Sequence, residues 1–568
     1  MSSTHIDGKT SAAAAIVPSQ KQQQFDVSSS NTSLSEKTQQ GEGGTGQDQG
    51  SQEPEETIDV KGEPIHDLDH PEADSATPPP MFHKPPPRQF LLIMIALALC
   101  VFLASLDQII VSTSIPAITR EYNSLNDIAW LGTSYMMTST AFQPLYGKVS
   151  DIFGRKLTVL AVAGIGAGGL MAMVFIIMSD MLDMRERGKY IGMVSGIFSL
   201  SSVIGPLLGG AFADHATWRW SFWINLPVGA ISTAFIAFNL DLPTPEGSFS
   251  EKIQRVDFYG SFLLLASVML LLLPLSWGGN KYAWNSGIII GLLIAGFAVA
   301  IIFVLVEWKI PNEPILPIHL FKIRNIKATY SSVFFSGMAF FGIIFYLPIY
   351  FQVILDESAT IGGLETVPFV FGIVISSVGS GIWVMKKGTF AFFPAVGNFI
   401  FMGATALCIL FKENTPRVVT IFVLMLCGLG VGLTYQAYTV AVQSAVKPKY
   451  MATVTASIQF VRSLGQVFGI AIVGSVFNNK LEESLLSSFP LSPGREILRV
   501  MQDYSFIKTY SELDQAAIYG SFVHGIHYAF YCSVAFCTLS FSAACFIEHK
   551  ELKTRKDMDK PEITIDMA

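Results

Sequence analysis

The sequence predicts an all-α membrane protein that crosses the bilayer many times, and three observations carry that prediction. Of its 568 residues, 51% are hydrophobic and 14% charged, with a mean hydropathy of +0.46, whereas a soluble globular chain carries about 25% charged residues. Thirteen apolar runs follow one another between residues 90 and 547, each near the roughly 20 residues that a helix needs to span hydrocarbon. Basic clusters recur in alternate loops, as the positive-inside rule asks. This excludes an ordinary cytosolic enzyme.

Taken in order, residues 1–88 hold fourteen Asp and Glu against six Lys and Arg, a balance of −8; the whole chain is −7, leaving residues 89–568 at +1. Segments such as SSSNTSLS, GEGGTGQDQG and KPPPR cannot bury enough apolar surface to offset their ordering entropy. They read as a disordered acidic cytoplasmic tail. It is not a signal peptide, because the first apolar run begins near Phe90. Runs near 90–117, 127–147, 157–178, 191–213 and 220–240 make a first helix bundle over 89–240. Residues 241–320 are a linker with two additional central helices, near 257–276 and 286–306. Runs near 327–352, 362–385, 390–411, 418–440, 453–476 and 522–547 make a second bundle over 321–549, with 478–520 as an external loop and 550–568 as a cytoplasmic tail.

Loop charge tests this order. Working back from the basic tail HKELKTRK, the loops VKPKY (446–450), MKKG (385–388), KIRNIK (322–327), EKIQR (251–255) and RERGK (185–189) all fall on the cytoplasmic side. The alternation then breaks. GKVSDIFGRK (147–156) also belongs inside, yet only the run at 157–178 separates it from RERGK. A helix must emerge on the wrong side or re-enter. Fourteen spans would restore parity, with about one deleted between Lys156 and Gly164.

The motifs follow. In GKVSDIFGRK, Gly147 permits close backbone approach, Asp151 suits a helix N-terminus, and Arg155 and Lys156 face cytoplasmic phosphates. In GIFSLSSVIGPLLGG (196–210), Gly205, Gly209 and Gly210 stand at helix-packing spacing around Pro206. Asp107 and Arg462 lie inside apolar runs, where charge is expensive and usually functional; both are proton-coupling candidates. The alternatives are a helix-capping or packing carboxylate near the outer rim for Asp107 and a snorkelling side chain for Arg462. Gln143, Tyr435, Gln436, Tyr438 and Gln443 suit a cavity for large, weakly polar ligands, or hydrogen bonds between helices. Glu365, His524 and His527 read as rim residues.

Several chemistries are not expected. Cys100, Cys408, Cys427, Cys532, Cys537 and Cys545 lie in or beside apolar runs without CxxC spacing, as free thiols rather than a disulfide frame or zinc site. GIGAGG (164–169) matches G-x-G-x-x-G but lacks the surrounding βαβ unit, and no G-x-x-x-x-G-K-[ST] occurs. No cofactor, metal, ATP or nucleic acid is expected; the partners are a small organic substrate, protons and the lipid bilayer.

These segments, with LDQIIVSTSIP (106–116) and WRWSFWINLPVG (218–229), resemble the major facilitator superfamily, specifically the fourteen-span drug:proton antiporter branch of filamentous fungi. The resemblance runs from about Phe90 to His549. It takes in DFYGSFLLLASVMLLLLPLSWGGNKYAWNS (257–286), GLGVGLTYQAYTVAVQSAV (428–446) and IQFVRSLGQVFGIAIVGSVFNN (458–479). It implies the major facilitator fold of two helix bundles and export of small hydrophobic compounds (toxins, secondary metabolites, drugs) in exchange for protons by alternating access. The plasma membrane is the expected location, with vacuolar or vesicle membranes as alternatives. The resemblance assigns Gly147, Asp151, Gly154, Arg155 and Lys156 to a loop that latches the cytoplasmic gate, and Gly196, Gly205, Pro206, Gly209 and Gly210 to the antiporter motif. Ile109 and Ser112 stand where the family often has Thr and Asn. After GRK the family continues through a complete third helix and an Arg-bearing start to the fourth. Here LTVLAVA runs straight into GIGAGG, and that Arg, which the family uses in proton coupling, is absent. The rival reading is therefore a non-transporting truncated isoform or remnant.

Overall fold

A computed structural model describes residues 85–550 and 552, apart from 123–127, 166–168, 243–244, 279–281, 310–313, 358, 448–449 and 489–503. Nearly all of the acidic tail and most of the 550–568 tail lie outside the described residues, as do the side chains of Ile109 and Ser112.

The first bundle comprises α1 (Pro87–Tyr122), α2 (Ile128–Phe153), α3 (Arg155–Ile165), α4 (Leu170–Met181), α5 (Met184–His215), the single turn α6 (Trp220–Trp223) and α7 (Asn225–Asn239). A short surface helix α8 (Phe249–Gln254) is started by a capping box, in which Ser248 Oγ accepts from the Glu251 amide and the Glu251 carboxylate accepts from the Ser248 amide. The central pair α9 (Phe258–Trp277) and α10 (Gly287–Lys309) follows. The second bundle comprises α11 (Arg324–Ile344), the short α12 (Leu347–Ile349) with a π turn behind it, α13 (Ala359–Glu365), α14 (Val367–Lys387), α15 (Phe392–Cys408), α16 (Arg417–Gln443), α17 (Met451–Ser488) and α18 (Glu512–Ala544).

Among the described residues, nine helical stretches are long and apolar enough to cross a membrane. The α10 stretch is the most apolar, at a mean hydropathy of 3.2, and exposes Ile294, Phe297, Ile301 and Trp308. A helix that is apolar all round and still exposed belongs in lipid. The central pair packs on itself and against α2 and α17, so it flanks the seam between the bundles. The first bundle has its own core around Leu97, Phe175 and Ile236; the second is packed around Tyr350, Phe401 and Phe530 at one end and around Ile326, Tyr438 and Ile458 at the other.

The run at 157–178 is where charge parity failed, and it is not one crossing. It consists of the half-helices α3 and α4, eleven and twelve residues long. Each rises about 16–18 Å, roughly half of the ~30 Å hydrocarbon layer. Arg155, the first residue of α3, is ion-paired at 2.6 Å to Asp180 near the end of α4. The chain therefore enters, turns and leaves at the end where it came in. This re-entrant hairpin puts the basic loops 147–156 and 185–189 at one end, as their charge requires. At its tip Gly169 lies against the Tyr146 ring, whose Cε2 is 2.1 Å from where a Cβ would stand. All of α4 but Asp180 is buried.

Helix enters the 478–520 segment from both sides: α17 continues unbroken to Ser488 and α18 begins at Glu512. LEESLL keeps helical propensity beyond the apolar run, and Leu481 and Leu485 pack into the second bundle's core. At the start of α18, Ser511 Oγ accepts from the Asp514 amide.

Candidate functional site

The basic loops converge on one end of the molecule. Gly154, at φ +94°, makes the break between α2 and α3, a left-handed conformation that glycine adopts without cost. The turn aims Arg155 at Asp151 (2.6 Å), Asp180 (2.6 Å) and Ser150 Oγ (2.9 Å). Burial works against the charge of Arg155, but Asp180 and Asp151 outweigh it and hold the guanidinium above its ordinary value. Arg187, from RERGK, is 1% exposed. It donates to the Leu182 carbonyl (2.8 Å), to the Ser179 carbonyl and, across to the second bundle, to Gln443 Oε1 (3.1 Å) and Met451 Sδ (3.1 Å). Burial lowers its pKa to about 10, so it stays charged at neutral pH. Arg187 ties the bundles together, and its place in the basic cluster RERGK was the sequence signal for it.

Two backbone seams lie beside this network. On one, a Cβ at Gly147 would meet Ala456 Cβ at 2.7 Å and the Ala452 carbonyl at 3.3 Å, so α2 and the start of α17 touch main chain to side chain. On the other, Gly188, Gly192 and Gly196 of α5 face Gly381, Ser377 and Val374 of α14 at 3.1, 2.8 and 3.6 Å from their would-be Cβ positions. This G-x-x-x-G-x-x-x-G register is visible in the sequence. The motif's own glycines Gly205, Gly209 and Gly210 lie further along α5, which runs helical through Pro206.

One turn or more further from the basic end on the same helices lies a cavity of about 80 Å³ bounded by both bundles. Gln143 and Met171 line it from α2 and α4, Ser195 and Phe198 from α5, and Phe340, Tyr435, Tyr438, Gln459 and Arg462 from the second bundle. Arg462 is 8% exposed. It donates to Gln459 Oε1 (2.6 Å) and the Tyr435 carbonyl (3.3 Å), and its guanidinium lies 4.0 Å from the centre of the Tyr435 ring. It turns inward rather than snorkelling. Among the described residues, Gln143 Oε1 is buried without a hydrogen-bond partner.

The sequence-predicted residues thus separate. Gln143, Tyr435, Tyr438 and Arg462 come together, although the Tyr438 hydroxyl is committed to Asn398 (2.6 Å) and Ser332 (2.7 Å). Gln436 faces α14, donating to Ser380 Oγ (3.1 Å). Gln443 belongs to the basic-end network, bonded to Arg187 and to Thr455 Oγ1 (2.9 Å). Asp107 lies outside the cavity lining and accepts from Asn225 Nδ2 of α7. Glu365 is 3.9 Å from Arg417, and Lys156 is half-buried in α3. Sequence reasoning missed Gln459 and Gln466, although 459, 462/463 and 466 form a polar stripe at helical spacing.

Comparison with known proteins agrees with this architecture. The model of the Major Facilitator Superfamily matches residues 97–163 and 157–470; the two matches meet in α3. The aspyridones efflux protein of Neocamarosporium betae is 31% identical over 504 residues, covering 83% of this chain and 89% of that one. Efflux pump FUS6 of Gibberella fujikuroi is 30% identical over 504 residues, covering 82% and 90%, and efflux pump dotC of Dothistroma septosporum 31% over 433 residues, covering 72% and 75%. Among solved structures, the human organic anion transporter MFSD10 (TETRAN) superposes with a TM-score of 0.52 at 14% identity, covering 81% of this chain and 100% of its own; that likeness concerns the fold alone.

Proposed function

The chain belongs to the major facilitator superfamily, to its fungal efflux-pump type, and from that premise we propose that it exports small hydrophobic organic compounds from the cytoplasm by alternating access, driven by protons. The family is one of transporters, not enzymes. The observation that supports the reading best is the placement of a polar, aromatic cavity between two bundles, with the two glycine seams and Arg187 on its basic-end side. Loop charge assigns that end to the cytoplasm, so the structure corresponds to a state closed on the inside.

Opening inward requires α2 to leave α17 and α5 to leave α14. Seams of glycine and small residues join by shape, with few directional bonds to break, and a substrate or proton bound differently in the two states shifts their balance. Asp107 and Arg462 remain the proton-coupling candidates. Asp107 acts through its hydrogen bond to α7, and Arg462 acts from the cavity wall. Glu307 of α10 joins them: it is 4% exposed, with Oε2 unpartnered among the described residues. The plasma membrane is the proposed location.

The test uses inside-out membrane vesicles containing the full chain, with an imposed acid-inside gradient. Uptake of fluorescein, Nile red or rhodamine 6G that collapses with a protonophore is expected. No gradient-dependent movement of any of the three would sink the reading. The half-length α3 and α4 favour a second reading, a folded chain that no longer transports. It predicts the intact fold and vesicles that stay empty.

A further inference from the structure

We propose that the cavity takes anionic cargo, a small organic acid whose carboxylate or enolate meets the Arg462 guanidinium while its apolar body lies among Tyr435, Phe198 and Phe340. The inference deepens the reading above and rests on it for the cavity being the cargo site.

The argument is one of charge. Arg462 is buried deep in α17, about 17 Å along the helix from Met451 at a rise of 1.5 Å per residue. Its partners are neutral: the Gln459 amide oxygen, the Tyr435 carbonyl and the Tyr435 ring. Among the described residues it forms no ion pair, and the cavity lining contains no Asp or Glu. A buried charge without a counter-charge is costly, and an opposite charge held in good geometry offsets that cost. Arg binds a planar carboxylate through two parallel N–H donors. A cation would instead meet an uncompensated like charge, and a neutral molecule would leave the guanidinium as it found it. Two further features suit an acid with a polar, aromatic body. Gln143 is 7% exposed and its unpartnered Oε1 accepts a cargo hydroxyl or N–H. The first turn of α4 enters the lining at Met171 and brings the positive end of a half-helix toward the same space.

The experiment measures binding directly. The full chain in nanodiscs is titrated with three probes that share a xanthene skeleton: fluorescein (anionic), its diacetate (neutral) and rhodamine 6G (cationic). Fluorescein is expected to bind about tenfold tighter than rhodamine 6G. Arg462→Gln should weaken fluorescein about tenfold while changing the diacetate less than about twofold, and Arg462→Lys, which keeps the charge but loses the paired N–H donors and the ring stacking, should fall between the unsubstituted chain and Arg462→Gln. Because Arg462→Gln can fail by misfolding, Gln459→Glu is the second variant. It leaves Arg462 in place, sets a carboxylate against it and should erase the preference. Equal binding of the three probes, tighter rhodamine 6G, or undiminished fluorescein binding by Gln459→Glu would overturn the proposal. Selective binding by a chain whose vesicles move nothing would leave this inference standing and remove the exporter reading; gradient-driven uptake without charge selectivity would do the reverse.

Discussion

Gly147 shows how one missing atom group lets two helices meet. Its hydrogen faces Ala456 where a Cβ would stand 2.7 Å from another Cβ. Gly147→Leu should push α2 off α17 and hold the basic end open, lowering transport about tenfold, since overpacking costs about 1–3 kcal/mol and tenfold is ~1.4 kcal/mol. Gly147→Ala with Ala456→Gly exchanges which helix carries the methyl group and should transport better than Gly147→Ala alone. A vesicle uptake assay on the three variants checks this, and equal defects in Gly147→Ala and the double variant would contradict it. At this scale the sequence was legible where chemistry is intrinsic to a residue type. Intramembrane Arg462, Gln143 and the tyrosines stood out because polar groups in apolar runs are few. It was not legible where direction matters. Gln436 and Gln443 are as polar as Gln143, yet their helix phase turns them toward Ser380 and Arg187. Asp107 likewise turns toward Asn225 on α7, a partner 118 residues away.

Among the elements, the re-entrant hairpin is the feature that makes the rest consistent. Hydropathy counts apolar residues and cannot tell one helix of 22 residues from two halves folded back on each other. Charge parity could, because two basic loops on opposite sides of the membrane would violate a rule the other loops obey. The hairpin keeps α4 in the heart of the first bundle, against α1, α2, α5 and α17, and ties its open end through Arg155 and Asp180. Cysteines placed singly at Lys156 and Asp183 should therefore both react with a membrane-impermeant thiol reagent from the same, cytoplasmic side. Labelling from opposite sides would mean that 157–178 crosses. The glycine register at Gly188, Gly192 and Gly196 was readable as a pattern; that it meets α14 rather than another first-bundle helix was not, because that depends on how two helices more than 150 residues apart in sequence come together.

Taken whole, the molecule is two helix bundles in contact through main-chain seams at their basic end and through a cavity one turn beyond. On each of the four seam helices a cavity residue has a seam residue behind it: Gln143 and Gly147, Ser195 and Gly192, Ile373 and Ser377, Gln459 and Ala456. Closure at the seams and the shape of the cavity are thus mechanically one variable. The central claim is that transport requires these seams to part. Gly188 and Val384 allow a direct test, because a Cβ built on Gly188 lies 3.4 Å from Val384 Cβ, close to the ~3.5–4.5 Å spacing of a disulfide. With Gly188→Cys and Val384→Cys in a chain whose exposed Cys545 has been replaced, oxidation should stop gradient-driven fluorescein uptake into inside-out vesicles and a reductant should restore it. Uptake that continues at full rate with the disulfide formed would contradict the account.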